Sequence, residues 1–325
     1  MTTIAQIVRL QFWRAYWITM RPYLLFVSGV AGMTGVALAD SPAYPGIFLA
    51  FICFFFSYGF GQALTDCFQI DTDSLSSPYR PLVKGIIRRS SVMAISLFGL
   101  LGSCIILFHL NPLNLVFGLV ATVGLLTYTW FKRRWWGGPF WNAWIVGMLP
   151  VMGFYSFSNK GLDSGQATVF VLILTTTLFS YANFVLMGYF KDISADRASG
   201  YFTFNVVFGW RASAFASDVL AAVSVLSTAL VIYLTLSHDY KIFLKAVALL
   251  PFIAAIIVLV AAQINIHKIR DEHLAFAPIE HVVRGFILLH LAEILVLKPH
   301  WMITAAVFYM IFEIVLMHRP MKEQV

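Results

Sequence analysis

Five aspartates fall in two short polar stretches of an otherwise apolar chain. The stretch "TDCFQIDTDSLSSPYRPLVKG" (65–85) holds Asp66, Asp71 and Asp73, and "YFKDISADRASGYFTFNVVFG" (189–209) holds Asp192 and Asp196. On a helix, Asp192 and Asp196 lie four apart and share a face. Asp66 and Asp73 lie two turns apart and do the same, Asp71 points away if the helix continues that far, and Pro78 and Pro81 then end it. Carboxylates crowded on one face repel and favour a cation. Hard oxygen ligands of this kind suit magnesium, which takes one or two carboxylates and completes its shell with water and phosphate oxygens. Bases escort each cluster: Arg80 and Lys84 follow the first, Lys191 and Arg197 flank the second, and Lys132 to Arg134 form a third group. Metal plus cations make a diphosphate site, with Arg and Lys neutralising what the metal leaves. For either cluster alone the plain alternative is a solvated ion pair worth under about 1 kcal/mol.

The elements that must position these residues are membrane helices. The 325 residues are 60% hydrophobic and 11% charged, with 30 Phe, and the mean hydropathy is +0.82. A spanning helix needs about 20 apolar residues, and unpaired backbone cannot face lipid. The pattern predicts one all-α, multi-pass integral membrane domain over 1–325. Candidate spans are 22–39, 46–65, 92–110, 113–130, 140–157, 168–189, 213–236, 243–264, 282–297 and 301–317. The last two are short and joined by a tight "LKPHW" link, so they form two spans or one re-entrant element, giving ten or nine. Residues 1–20, with Arg9 and Arg14 breaking an aromatic and apolar run, read as an amphipathic helix lying on the membrane surface.

With the N-terminus inside, segments 66–91 and 190–211 become two acid-rich cytoplasmic loops on one face. That topology puts eighteen of the 22 Lys and Arg on the same side and leaves Lys160, Lys241, Lys245 and Lys298 on the other. The split follows the positive-inside rule. The net charge of +7 is therefore topological, with some left for an anionic ligand, and nucleic acid is not an expected partner. Cys53, Cys67 and Cys104 lack metal-type spacing and read as small apolar filler. Without a cleavable leader, a bacterial inner membrane with the site facing the cytoplasm is the simplest expectation.

The first acidic stretch resembles the aspartate-rich motif of the UbiA superfamily of intramembrane prenyltransferases, N-D-x-x-D-x-x-x-D followed by P-x-R-P-x-x-x-G. "KDISADRASG" resembles the second motif, D-x-x-x-D with a following Arg and Gly. Arg21-Pro22 resembles the family's Arg-Pro entering the first span, and Tyr128 and Lys132 in "YTWFK" resemble its Y-x-x-x-K. The matches run in order from 21 to 209. The resemblance implies about nine helices around a central cavity open to lipid, with a cytoplasmic cap carrying both motifs. It implies Mg2+-assisted ionisation of a prenyl diphosphate and transfer of the prenyl group to an aromatic or other lipid-soluble acceptor, releasing pyrophosphate. Carried over by position, Asp66, Gln69, Asp73, Asp192 and Asp196 become metal-side residues. Arg21, Arg80, Lys132, Lys191 and Arg197 become diphosphate contacts, and Tyr128 lines the reacting end of the cavity.

Two departures stand out. Thr65 replaces the motif's Asn and Gln69 its middle Asp, so that of the i, i+4, i+8 set only Asp73 keeps a carboxylate. Asp66 or Asp71 compensates, or the first metal is bound differently, or the chain is a divergent branch of that family. A terpene cyclase of the same superfamily, in which a double bond of the same chain captures the cation, remains the runner-up. A transporter is a distant third, because the acids gather at one surface instead of mid-membrane. Within apolar stretches, Glu293 and Glu313 lie five residues from Lys298 and His318, which favours snorkelling or interhelical pairing. "HKIRDEHLAF" (267–276) reads as a solvated loop.

Overall fold

Apolar runs with no internal charge satisfy their backbone most simply as helices, and the computed structural model is helical throughout the residues it describes: 7, 9–40, 43–158, 163–236 and 246–319. The helices are α1 (Leu10–Met20), α2 (Leu25–Leu38), α3 (Gly46–Asp66), α4 (Ile70–Ser76), α5 (Arg89–Leu110), α6 (Leu113–Arg134) and α7 (Gly138–Tyr155). They continue with α8 (Ser164–Gly188), α9 (Ile193–Ala198), α10 (Phe204–Leu236), α11 (Leu249–Lys268), α12 (Phe276–Leu297) and α13 (Met302–Met317). Lys160, Lys241, Lys245, Lys322, seven of the first eight residues and the start of the expected 243–264 span lie outside the described residues.

Seven helices are long and apolar enough to cross a membrane, or eight if α1 and α2, bent by 49° at their junction, count as one span. The expected nine or ten is not reached by that measure. The remaining expected spans are helices of suitable length whose composition is diluted: α7 by Asn142, Pro150 and its Trp and Gly residues, α12 by Glu280, Arg284 and Glu293. The last two segments are separate helices, α12 and α13, joined by a 3-10 turn at Pro299–Trp301.

Consecutive long helices pack mostly as neighbours, and α12 closes the bundle by packing on α2, α8 and α11. Nearly all of α2 and α12 is buried, whereas Phe98, Ile105, Leu226, Leu250 and Ile303 form part of an apolar outer surface suited to lipid. Small residues bring α2 and α7 together: a Cβ on Gly35 would meet the Pro150 carbonyl, and one on Gly153 the Gly32 carbonyl. Helix α1 has one buried and one exposed face. Phe12, Ala15 and Tyr16 pack inward, with Tyr16 Oη 2.9 Å from Ser96 Oγ, while Leu10, Trp13 and Trp17 stay exposed.

The two motif loops fold into a cap at one end of the bundle. Helix α3 stops at Asp66, the chain turns through Cys67–Gln69, and α4 runs only to Ser76, just before Pro78. Asp66 and Asp73 therefore do not sit on one continuous helix, as the spacing alone suggested. In the second loop a 3-10 turn, Tyr189–Asp192, leads into α9, so Asp192 precedes the helix that carries Asp196. Both loops end on the same device. Gly85 (φ 68°) and Gly200 (φ 72°) adopt the left-handed conformation. Around them Ile86 N–H donates to Pro81 O (3.0 Å) and Tyr201 N–H to Asp196 O (2.8 Å), the six-to-one bond of a Schellman cap. The glycine in each motif thus has a backbone reason.

These two glycines and Gly35 separate two kinds of cost. Nothing lies within 4 Å of a Cβ built on Gly200, so Gly200→Ala should cost only the left-handed strain, about 1–2 kcal/mol. Gly35→Ala should cost about 1–3 kcal/mol through forced separation of α2 and α7. Thermal unfolding in detergent checks both. Cysteine crosslinking between α2 and α7 should change only for Gly35→Ala.

Candidate functional site

Beneath the cap lies a polar chamber of about 640 Å³, its open mouth included. From the first loop and its neighbours it is lined by Asp66, Gln69, Asp73 and Arg80, from the second by Lys191 and Asp192, and from the helix ends by Arg21, Tyr128 and Lys132. Nine of the eleven site residues named from sequence therefore meet in one place. Asp196 is wholly buried at its edge. Arg197 is exposed and does not line the chamber, because it lies on the outer side of α9.

Each charge is held by a partner from another element. Arg21 sits in the left-handed region (φ 53°) between α1 and Pro22. For a non-glycine residue that is an uncommon backbone state; here Arg21 is the C-cap of α1, its N–H donating to Ile18 O, directly before Pro22. Its Nη2 reaches both oxygens of Asp66 at 3.1 and 3.2 Å, and Gln62 Nε2 donates to the same carboxylate at 2.6 Å. Arg80 bonds Asp73 directly and lies 3.8 Å from Asp66. Burial opposes the charge on Arg80, but the Asp73 and Asp66 carboxylates outweigh it and hold the guanidinium above its ordinary value.

Lys132 occupies the junction of the motifs. Its Nζ donates to Gln69 Oε1 at 3.1 Å and lies 3.4 Å from Asp196 Oδ1. It also sits 5.0 and 5.1 Å from the ring centres of Tyr189 and Tyr201, within cation–π range. Thr72 Oγ1 donates to Asp196 Oδ1 at 3.1 Å, tying α4 to α9, while Asp196 Oδ2 is buried with no partner.

Asp71 does not line the chamber. It points outward, accepting from Arg133 at 2.7 Å and from the Tyr201 hydroxyl at 3.2 Å. Asp66 does face the chamber but is committed to Arg21 and Gln62. Thr65 Oγ1 donates to Gln62 O at 3.0 Å.

The chamber adjoins an apolar tunnel of about 760 Å³, its open sides included, between α3, α5, α6, α7 and α8. Tyr58, Gln62, Thr65, Asn142 and Tyr181 line both spaces and form the neck. Phe54, Leu107, Gly118 and Met152 lie towards the far end. From Thr65 to Cys53, both on its wall, α3 rises about 18 Å at 1.5 Å per residue. Tyr128 and Tyr189, 2.8 Å apart at their hydroxyls, complete an aromatic wall on the chamber side.

Several contributors were not singled out from sequence. Glu272, in the stretch expected to be a solvated loop, accepts from Ser194 N and Oγ at 3.0 and 2.6 Å and so pins the second motif. Gln62 and Tyr58 are one and two turns before Asp66, a spacing that would have placed them on its face. Tyr181, Tyr189 and Tyr201 carried no local signal. Glu293 does not pair with Lys298: it is wholly buried and accepts from Thr228 at 3.1 Å. Glu313 pairs with Arg284 at 2.8 Å, an interhelical contact.

Magnesium suits part of this donor set. Among the described residues no group of three His, Cys, Asp or Glu could hold a metal by itself. Asp73 and Asp192 nevertheless line a chamber that also offers cations for a diphosphate, the arrangement in which Mg2+ takes one or two carboxylates and fills its shell from substrate and water.

The profile of the UbiA prenyltransferase family matches residues 25–277. A digeranylgeranylglyceryl phosphate synthase of Thermococcus kodakarensis is 24% identical over 240 residues, covering 73% of this chain and 84% of that protein. The synthase of the same name from Methanococcoides burtonii is 26% identical over 254 residues, 75% of this chain and 89% of the other. Among solved structures, the apo form of a UbiA homolog from Aeropyrum pernix superposes with a TM-score of 0.63 at 18% identity, covering 88% of this chain and 97% of that one. A UbiA homolog from Archaeoglobus fulgidus bound to DMAPP and Mg2+ gives 0.61 at 19% identity, covering 86% and 98%. The fold is shared with these proteins, and the profile covers well over half the sequence. The chain belongs to the UbiA prenyltransferase family.

Proposed function

We propose that this protein ionises a prenyl diphosphate whose isoprenoid tail lies in the apolar tunnel, and transfers the prenyl group to a lipid-soluble acceptor. The observation that carries this is the junction itself: a cation-lined chamber meeting a long apolar tunnel at a neck of Tyr58, Gln62, Thr65, Asn142 and Tyr181. An amphiphile with a diphosphate head fits both halves, and its scissile carbon then falls at the neck. Relatives named for a lipid product, together with the DMAPP-bound homolog, support a prenyl diphosphate donor. They lend no support to the aromatic acceptor expected from the resemblance, so a lipid acceptor is the better proposal.

In this mechanism Asp192, with Asp73 lining the same chamber, would hold Mg2+, whose charge would offset that on the departing pyrophosphate. Arg21, Arg80, Lys132 and Lys191 contact the diphosphate oxygens. Asp66 and Asp196 position Arg21, Arg80 and Lys132. The allylic C–O bond breaks with its electron pair passing to the pyrophosphate oxygen. Faces of Tyr128, Tyr189 and Tyr181 stabilise the cation and keep water out. The acceptor's nucleophilic atom forms the new bond and gives up its proton. The clustering of Lys and Arg at the cap end supports a site on the cytoplasmic side of the membrane.

Purified protein with Mg2+ and geranyl, farnesyl or geranylgeranyl diphosphate tests this directly. Pyrophosphate release and a prenylated product only when a lipid or aromatic acceptor is added is the expected result, and the acceptor that reacts identifies its class. An EDTA-sensitive cyclic hydrocarbon without acceptor would replace transfer with cyclisation. Asp192→Asn should lower turnover about 10²–10³-fold while leaving thermal unfolding nearly unchanged. Leu107→Trp, at the far end of the tunnel, should lower kcat/KM for the longest donor by about tenfold or more and spare the shortest.

A further inference from the structure

Two acid motifs facing one diphosphate invite one divalent cation from each. The first-motif side of this chamber is already occupied by a cation of the protein's own. Gln69 offers a neutral oxygen, and that oxygen accepts from Lys132 Nζ at 3.1 Å. Thr65 spends its hydroxyl proton on Gln62 O, 3.0 Å away. Asp73 is bonded to Arg80, and Asp71 has turned out of the chamber to Arg133. The Lys132 ammonium cannot easily withdraw: Asp196 Oδ1 lies 3.4 Å away, and the Tyr189 and Tyr201 rings flank it at 5.0 and 5.1 Å. Its side chain is almost wholly buried. A divalent ion placed beside Gln69 would meet this fixed charge at a neutral amide oxygen, with Asp66 and Asp73 already paired to Arg21 and Arg80. Asp192 has a different situation. It lines the chamber on the second-motif side, where the cations facing it are Lys191, Lys132 and Arg80.

We propose that this chain binds a single divalent cation with its diphosphate, on the Asp192 side, and that the caged Lys132 ammonium on Gln69 takes the place of a second. The proposal rests on the diphosphate reading above. Gln69 is then not a weakened ligand. It is the acceptor that seats the lysine, and Asp196 is a positioning residue for that lysine.

The test counts metal and not turnover. Purified full-length protein in detergent is titrated with Mn2+ in the presence of inorganic pyrophosphate, with free Mn2+ followed by EPR and total binding by calorimetry. One Mn2+ per chain, without Mn–Mn coupling, is expected. Two coupled Mn2+ would overturn the proposal while leaving the diphosphate reading intact. No pyrophosphate-dependent Mn2+ binding would overturn both. The pair of changes Lys132→Met and Gln69→Asp should raise the count to two; a count that stays at one in the folded double variant would remove Lys132 as the cause. The wild-type count decides the stoichiometry even if that variant does not fold.

Discussion

Charge buried under a membrane bundle has to be matched on the spot, and the cap of this protein is organised by that requirement. Arg21, Arg80 and Lys132 are each less than a tenth exposed, as are Asp66, Asp73 and Asp196. Removing one member of such a set strands its partner at a cost of about 3–5 kcal/mol. The pairs run between elements far apart in the chain: Arg21 to Asp66, Arg80 to Asp73, Lys132 to Asp196. The same contacts that neutralise charge therefore clip α1 to α3, the 77–88 segment to α4, and α6 to α9.

This economy explains the division of the cavity. Cations and carboxylates are kept at the cap end, while the tunnel below is lined largely by carbon, with Phe54, Leu107 and Met152 towards its far end. A ligand with a charged head and an apolar tail meets each environment once. The tyrosines at the boundary suit both sides, since the ring packs against hydrocarbon and the hydroxyl bonds to its neighbour. The fold holds this boundary in place through close helix crossings, such as α2 on α7, and through turns whose glycines release the chain at a fixed angle.

Away from the cap, the bundle also buries polar groups between α8, α10 and α12. His290 Nε2 lies 2.9 Å from Thr177 Oγ1, and Glu293 accepts from Thr228. These contacts replace the water that neither side chain can reach. They give the interior of a largely apolar bundle a specific register that hydrocarbon packing alone would not impose.

Length, hydropathy and motif order determined by themselves that the chain is a helical membrane protein with two acidic segments, because helix periodicity and the need to satisfy backbone in lipid are local constraints. The acidic and basic clusters, with the resemblance to the family's motifs, also singled out Asp66, Asp73, Asp192, Arg21, Arg80, Tyr128, Lys132 and Lys191, which share one chamber. Local spacing was misleading where a helix ends. Asp66 and Asp73 fall on separate helices, and Asp192 precedes the helix of Asp196, since a turn resets the angular register that spacing assumes. Only the tertiary structure decided that Asp71 leaves the chamber, that Arg197 faces outward, that Glu272 pins the second motif and that Gln69 meets Lys132. Each of these depends on which distant element packs alongside, and pairings across 62 to 78 residues, as from Asp71 to Arg133 or from Ser194 to Glu272, leave no trace in the spacing of either segment.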